Sequence, residues 1–305
     1  MNKLLIVLFS FSLLLSKSII TPIPNDTHKL DPKKVSLGKK LFFEKKFSAD
    51  NTISCASCHD IYNGGANKNK IAIGINGFKG TFNVPTILNS KYNFAQSWDG
   101  REKSLEKQMI NPIHNPLEMG SSFPEIIKKL SKNSNYIKEF KSIYNSPITK
   151  ENIINSIVEF EKALITPNSK FDKYLKGQKE ILTKKEKIGY KLFQEYGCIS
   201  CHNGRNIGGN LFQKVGIISD YFPNENKHFG RYNLTKEEED KFYFKVPTLR
   251  NIELTSPYLH DGSVKSLKEV IEVMLKYQIG AIYTKQDIEY IEEFLKTLTG
   301  EKPNI

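Results

Sequence analysis

Cys55-Ala-Ser-Cys58-His59 and Cys198-Ile-Ser-Cys201-His202 are the two stretches that decide how this chain is read. Together they use all four cysteines and two of the six histidines of the 305-residue sequence. Cys-x-x-Cys-His is the attachment motif of c-type haem. Its two thiols lie about one helical turn apart and add to the two vinyl groups, and the adjacent histidine becomes the proximal iron ligand. A zinc ribbon would set its cysteine pairs about 15–20 residues apart, far closer than Cys58 and Cys198. A disulfide exchanger needs one Cys-x-x-Cys without trailing histidines, and structural disulfides need neither His59 nor His202. Two covalently bound haem c groups are therefore expected, with His59 and His202 as iron ligands.

Both motifs sit in a repeated frame. Gly38-Lys39-Lys40-Leu41-Phe42 precedes the first, and Gly189-Tyr190-Lys191-Leu192-Phe193 the second. Phe82-Asn83-Val84-Pro85-Thr86 follows the first, and Phe244-Lys245-Val246-Pro247-Thr248 the second. Asp99-Gly100 and Asp261-Gly262 come next, then Ser104-Leu105 and Ser266-Leu267, at the same spacing in each copy. Two fused copies of one cytochrome c-like domain are expected, at 19–178 and 179–305, joined near Lys176 to Thr183. Helical spacing of apolar residues covers 33–45, 102–110, 124–144, 150–165, 184–196, 266–277 and 285–298. Thr183 with Glu186, Ser266 with Glu269 and Thr284 with Asp287 read as helix-starting caps. Residues 203–245 lack a period and read as loop. The fold class is mainly α, with long irregular loops around the haems.

The copies diverge where the chemistry would lie. Eight residues after Ser266 stands Met274, and eight after Ser104 stands Pro112. A thioether opposite a proximal histidine closes a haem as an electron-transfer centre, whereas proline offers no ligand. The second haem is expected to be sealed by His202 and Met274, and the first to keep one open face. Near that face the segment EKQMINPIHNPLEMG (106–120) holds Gln108, His114 and Glu118. A carboxylate partly buried against a haem would have a raised pKa, suited to moving protons during O–O cleavage. Trp98, the single tryptophan, is matched by His260 in the second copy.

The ends and the charge set the location. Lys3 precedes an apolar run from Leu4 to Leu15, which fits a secretory signal peptide at 1–18 and is short of the ~20 residues of a membrane span. A periplasmic product is expected, with no membrane span after the signal is removed. The net charge is +12, which suits a lysine-rich surface or steering toward an acidic partner. No basic cluster interleaves with aromatics, so nucleic acid is not an expected partner.

The chain resembles the bacterial di-haem cytochrome c peroxidases over essentially all of the mature sequence. The stretches that carry the likeness are SCASCH, NVPTILN, FAQSWDGR, NPLEMG, GCISCH, FKVPTLRNIELTSPYLHDG and the helix with Met274. The resemblance implies hydrogen peroxide as substrate and a small c-type cytochrome, or a cupredoxin, as electron donor. It makes the haem at Cys55, Cys58 and His59 the peroxidatic centre, with Glu118 and Gln108 as distal catalytic residues. It places Trp98 between the haems in the electron path. It makes the haem at Cys198, Cys201, His202 and Met274 the electron-accepting centre. It further implies a calcium ion between the domains, held by the Asn83 side chain and the carbonyls of Thr255 and Pro257. The resemblance also implies a homodimer.

One departure stands out. Many members carry a histidine in a glycine-flanked loop that caps the resting peroxidatic iron. Here the loop reads IAIGINGFKG (71–80), with Ile75 at that position and no histidine between His59 and His114. A first haem that needs no reductive activation is expected. Two other functions compete: a MauG-type oxidase, whose members place tyrosine where Met274 stands, and a non-enzymatic di-haem carrier, against which Pro112 argues.

Overall fold

The computed structural model describes residues 19–221 and 228–305. The leader expected at 1–18 lies outside the described residues. The described chain is mainly helical and forms two units of one design. In the first, helix Pro32–Phe42 crosses helix Lys150–Ala163, and in the second, Lys184–Glu195 crosses Lys285–Lys296. Each crossing turns on a glycine. A Cβ built on Gly38 would lie 2.0 Å from the Ser156 carbonyl oxygen, and one on Gly189 would lie 1.8 Å from that of Tyr290. The helices therefore touch backbone to backbone. Beside each contact an aromatic pair repeats: Phe42 and Phe160 have ring centroids 5.2 Å apart, and so do Phe193 and Phe294.

Caps start these helices where the sequence places them. Asp31 accepts from the backbone N–H groups of Lys33 and Lys34, with Pro32 at the first helical position. Thr183 with Glu186 and Thr284 with Asp287 form reciprocal capping boxes. Ser266 caps its helix, but the Glu269 carboxylate turns to the Lys265 N–H instead.

Three expected helices are interrupted. The one over 102–110 is two short pieces, Leu105–Gln108 and Ile110–His114. Pro112 has no N–H to donate to the Gln108 carbonyl, so a continuous ladder cannot pass. The one over 124–144 breaks between Leu130 and Ser134, where Asn133 caps a new start. The one over 266–277 is α-helical only to Val273 and continues as a π-helical turn, Met274–Ile279. Helix Lys170–Leu175 was not expected, being too short to display a period. The stretch expected as loop contains a small antiparallel pair, Phe212–Lys214 with Tyr243–Lys245.

Two large cores follow the two units. Leu37, Leu41, Ile126, Phe140 and Ile157 anchor the first, and Phe193, Ile271, Ile291, Phe294 and Leu298 the second. The second core also takes in Ile20 and Phe171 from earlier in the chain. Next to Phe171, Asp172 forms a fully buried ion pair with Arg250 at 2.7 Å.

The units dock by exchanging equivalent groups. The Asn83 N–H donates to the His260 carbonyl at 2.7 Å, and the Lys245 N–H donates to the Trp98 carbonyl at 2.8 Å. Asn83 matches Lys245 in the repeat and Trp98 matches His260, so each bond is the other's image. A second symmetric contact involves Asn89 and Asn251, both with φ of 61°. Their Nδ2 groups donate to the same hydroxyl, Thr166 Oγ1, at 2.7 and 2.9 Å.

Candidate active site

The second site is a cavity of about 450 Å³, in the size range of cofactor pockets. Cys198, Cys201 and His202 line it together with Met274. The His202 Nδ1 lies 3.4 Å from the Ile207 carbonyl oxygen. A carbonyl only accepts, so Nδ1 donates and Nε2 is the nitrogen left for a metal. Burial pushes the ring down to about 4, so it is neutral, as a ligand must be. Met274 stands where the α-helix gives way to its π-turn, a distortion that recurs at functional positions.

The first motif folds as the short helix Cys55–Cys58, opened by a box in which the Ser54 N–H donates to Ser57 Oγ at 2.9 Å. The His59 Nδ1 donates to the Gly65 carbonyl at 3.0 Å, and burial lowers the ring's pKa. The same tautomer argument leaves Nε2 free. Burial pushes the Cys55 thiol up to about 12 and the Cys58 and Cys198 thiols up to about 11. A nucleophilic cysteine would need the opposite shift. These thiols fit covalent attachment of a cofactor and not thiolate catalysis. Within electrostatic range of Cys55, burial drives the Glu161 carboxyl up to about 8, and one of its oxygens has no hydrogen-bond partner among the described residues.

Glu118 lies close enough to Cys58 for its charge to raise that thiol. Burial raises the Glu118 carboxyl above its ordinary range, while a 2.8 Å bond from Asn115 Nδ2 and the charge of Arg101 pull the other way. Arg101 is held by the fully buried Asp99 carboxylate. The glycine-flanked loop is pressed onto the same segment. A Cβ on Gly74 would meet the Leu117 carbonyl oxygen at 2.0 Å, and the Ile75 N–H donates to the Glu118 carbonyl at 2.9 Å. Ile75 is buried with its Cδ1 over Gly120.

Gln108 ends its helix half-buried, and its side chain has no hydrogen-bond partner among the described residues. His114 is exposed, with its ring edge-on to Phe123. Trp98 lines the second cavity and donates its Nε1–H to the Asn83 carbonyl at 2.8 Å. Three residues later Arg101 acts on Glu118, so one short segment touches both sites. Asn83, Thr255 and Pro257 line the same cavity. The Asn83 Nδ2 is engaged by the carbonyls of Asn69 and Lys70. Its Oδ1 and the Thr255 and Pro257 carbonyls accept no hydrogen bond from the described backbone.

Sequence reasoning marked Asp99 only as a landmark of the repeat and gave no role to Arg101, Asn115 or Lys245. For Arg101 a signal existed: its match in the second copy is Ser263, an asymmetry as sharp as Pro112 against Met274.

A family model for di-haem cytochrome c peroxidase matches residues 32–180. The cytochrome c551 peroxidase of Nitrosomonas europaea is 44% identical over 269 residues, covering 88% of this chain and 80% of that protein. The chain belongs to the di-haem cytochrome c peroxidase family. Two c-type haems go with that membership. The methylamine utilization protein MauG of Methylorubrum extorquens is a more distant relative, 29% identical over 250 residues, 81% of this chain and 70% of that protein. Among solved structures, a MauG-like protein associated with microbial copper homeostasis superposes on this peroxidase-family chain with a TM-score of 0.79. It is 28% identical, with 96% of each chain covered.

Proposed function

We propose that the chain is exported to the periplasm and there reduces hydrogen peroxide: one peroxide, two electrons and two protons give two waters. The electrons come from a reduced small c-type cytochrome or a cupredoxin. The observation that carries this reading is the asymmetry of the two sites. Met274 lines the cavity of His202, whereas Pro112 stands at the matched position of the first copy, and a half-buried carboxyl, Glu118, lies within electrostatic range of Cys58.

Cys55, Cys58 and His59 would hold the first haem, which would supply redox iron for O–O reduction, and Cys198, Cys201, His202 and Met274 would hold the second, which would supply a stored electron. Glu118 takes a proton from the near oxygen of peroxide and returns it to the leaving one, a role its raised pKa suits. Asn115 fixes its Oε1 for that transfer. The unpartnered amide of Gln108 orients the peroxide. Trp98 spans the two units on the electron path. Asn83, Thr255 and Pro257 hold a calcium ion that stiffens this junction, and chelation is expected to slow transfer between the haems.

Ile75 offers no ligand where a capping histidine would stand, because a buried aliphatic side chain cannot ligate iron. Steady-state peroxide reduction by the as-isolated oxidised enzyme tests the whole reading. Turnover of reduced cytochrome without a lag is expected, at the same rate as after pre-reduction. A lag abolished by pre-reduction would remove Ile75 from the argument. No peroxide consumption, with both haems low-spin, would make the chain an electron carrier. Peroxide-driven oxidation of another substrate without cytochrome turnover would favour the MauG-type reading. Ile75→His is expected to install the missing cap and with it a requirement for pre-reduction.

A further inference from the structure

Lys245 is only 5% exposed. Among the described residues its ammonium has neither an ion pair nor a hydrogen bond, and burial alone pushes its pKa down to about 8. A buried cation without a partner is costly. Its backbone is fixed three ways: by the bond to the Trp98 carbonyl, by pairing with Phe212, and by Phe244, whose ring stacks on His260 at 4.2 Å.

Lys245 lines the second cavity. Among the described residues no aspartate or glutamate lines that cavity, and the one other lysine there is Lys214, half-buried on the partner strand. The described lining of the pocket is therefore cationic, with two lysines and no carboxylate. A c-type haem tethered at Cys198 and Cys201 presents its vinyl edge to the motif. Its two propionates, at the opposite edge, are the acids it would bring. In the first unit the matched residue is Asn83, a neutral amide.

We infer that Lys245 is the built-in counter-ion of a propionate on the second haem, a charge that the first unit lacks at the matched position. This rests on the reading that the cavity holds that haem. An ammonium beside the propionate cancels a negative charge that would otherwise favour the ferric state. Lys245 then acts as a positioning residue that raises the second haem's potential, in the same direction as Met274. It also keeps the propionate ionised through neutral pH, because the partner cation favours the charged form.

Spectroelectrochemical titration of both haems in Lys245→Met and Lys245→Arg tests this, with haem content measured on each. In the Met variant the second haem's reduced-to-oxidised equilibrium is expected to fall at least tenfold, a 59 mV drop for one electron, with the first haem unmoved. The Arg variant should stay within threefold of the parent. The second potential should be flat from pH ~5.5 to ~7.5 in the parent and slope in the Met variant, where an unpaired propionate titrates. A Met variant that keeps two haems with an unchanged, flat second potential overturns the inference. Should that variant lose its haem, the parent decides: a sloping potential in that window overturns it, and a flat one together with a normal Arg variant sustains it. A parent chain without haem at Cys198 and Cys201 would instead sink the functional reading.

Discussion

Replacing Thr166 by valine should weaken both units at once. Valine keeps the shape and removes only the hydroxyl. That hydroxyl accepts from Asn89 Nδ2 at 2.7 Å and from Asn251 Nδ2 at 2.9 Å, and no other acceptor among the described residues serves either group. All three residues are at most 2% exposed, so water cannot substitute. A buried donor left without a partner costs about 1–3 kcal/mol. Two of them give about 2–6 kcal/mol, while the Thr166 N–H keeps its bond to Asn89 Oδ1. Equilibrium denaturation of the holoprotein, followed by far-ultraviolet circular dichroism and by the haem bands, measures the loss. Thr166→Ser retains the hydroxyl and should lose less than about 1.5 kcal/mol. A valine variant within about 0.5 kcal/mol of the parent would refute the reasoning. So would a loss felt by only one of the two haem signals, since the hydroxyl serves both units.

Glu118→Gln preserves the geometry at Asn115 and removes the proton carrier, so kcat/KM for peroxide should drop about 10²–10⁴-fold with haem content unchanged. In the parent, kcat/KM should fall on the acid side as the Glu118 carboxyl, raised by burial, becomes protonated; that limb should vanish in the glutamine variant when pH profiles are compared. Glu161, pushed up to about 8, binds its proton more tightly folded than unfolded, so its contribution is complete below its ordinary pKa of 4.5 and is lost as pH rises through about 8. Stability curves should therefore decline by up to ~1.4 kcal/mol per pH unit between those limits, and Glu161→Gln should flatten them. Gly189→Ala drives a methyl to 1.8 Å from the Tyr290 carbonyl oxygen; unfolding measurements should show a loss of at least about 2 kcal/mol.

Much of this was legible because it was written twice. The repeat brought out the glycines at 38 and 189, the aspartates at 99 and 261, and the contrast of Pro112 with Met274, which no periodicity argument would have found. Helix starts were legible wherever a cap such as Thr183 or Thr284 acts within one turn. Helix ends were harder, because the break at Pro112 and the π-turn at Met274 answer to local backbone chemistry inside an apolar pattern that runs straight through. Glu118 was visible as a carboxylate in a distinctive segment, but its neighbours Arg101 and Asp99 come from a loop that only folding brings alongside. Lys245 was invisible for a plain reason. In a chain with so many surface lysines, nothing in the sequence marks the one turned inward.

The mirrored bonds from Asn83 to His260 and from Lys245 to Trp98 have a consequence for how such a molecule can change over time. Both use main-chain atoms, so the alignment of the two halves is indifferent to which side chains those four positions carry. One half can then acquire an amide, the other an ammonium, one an indole and the other an imidazole, without either losing its grip on its sibling. A duplicated cytochrome joined in this way is free to let its halves specialise, one toward chemistry and one toward charge storage, while the distance between them is inherited unchanged.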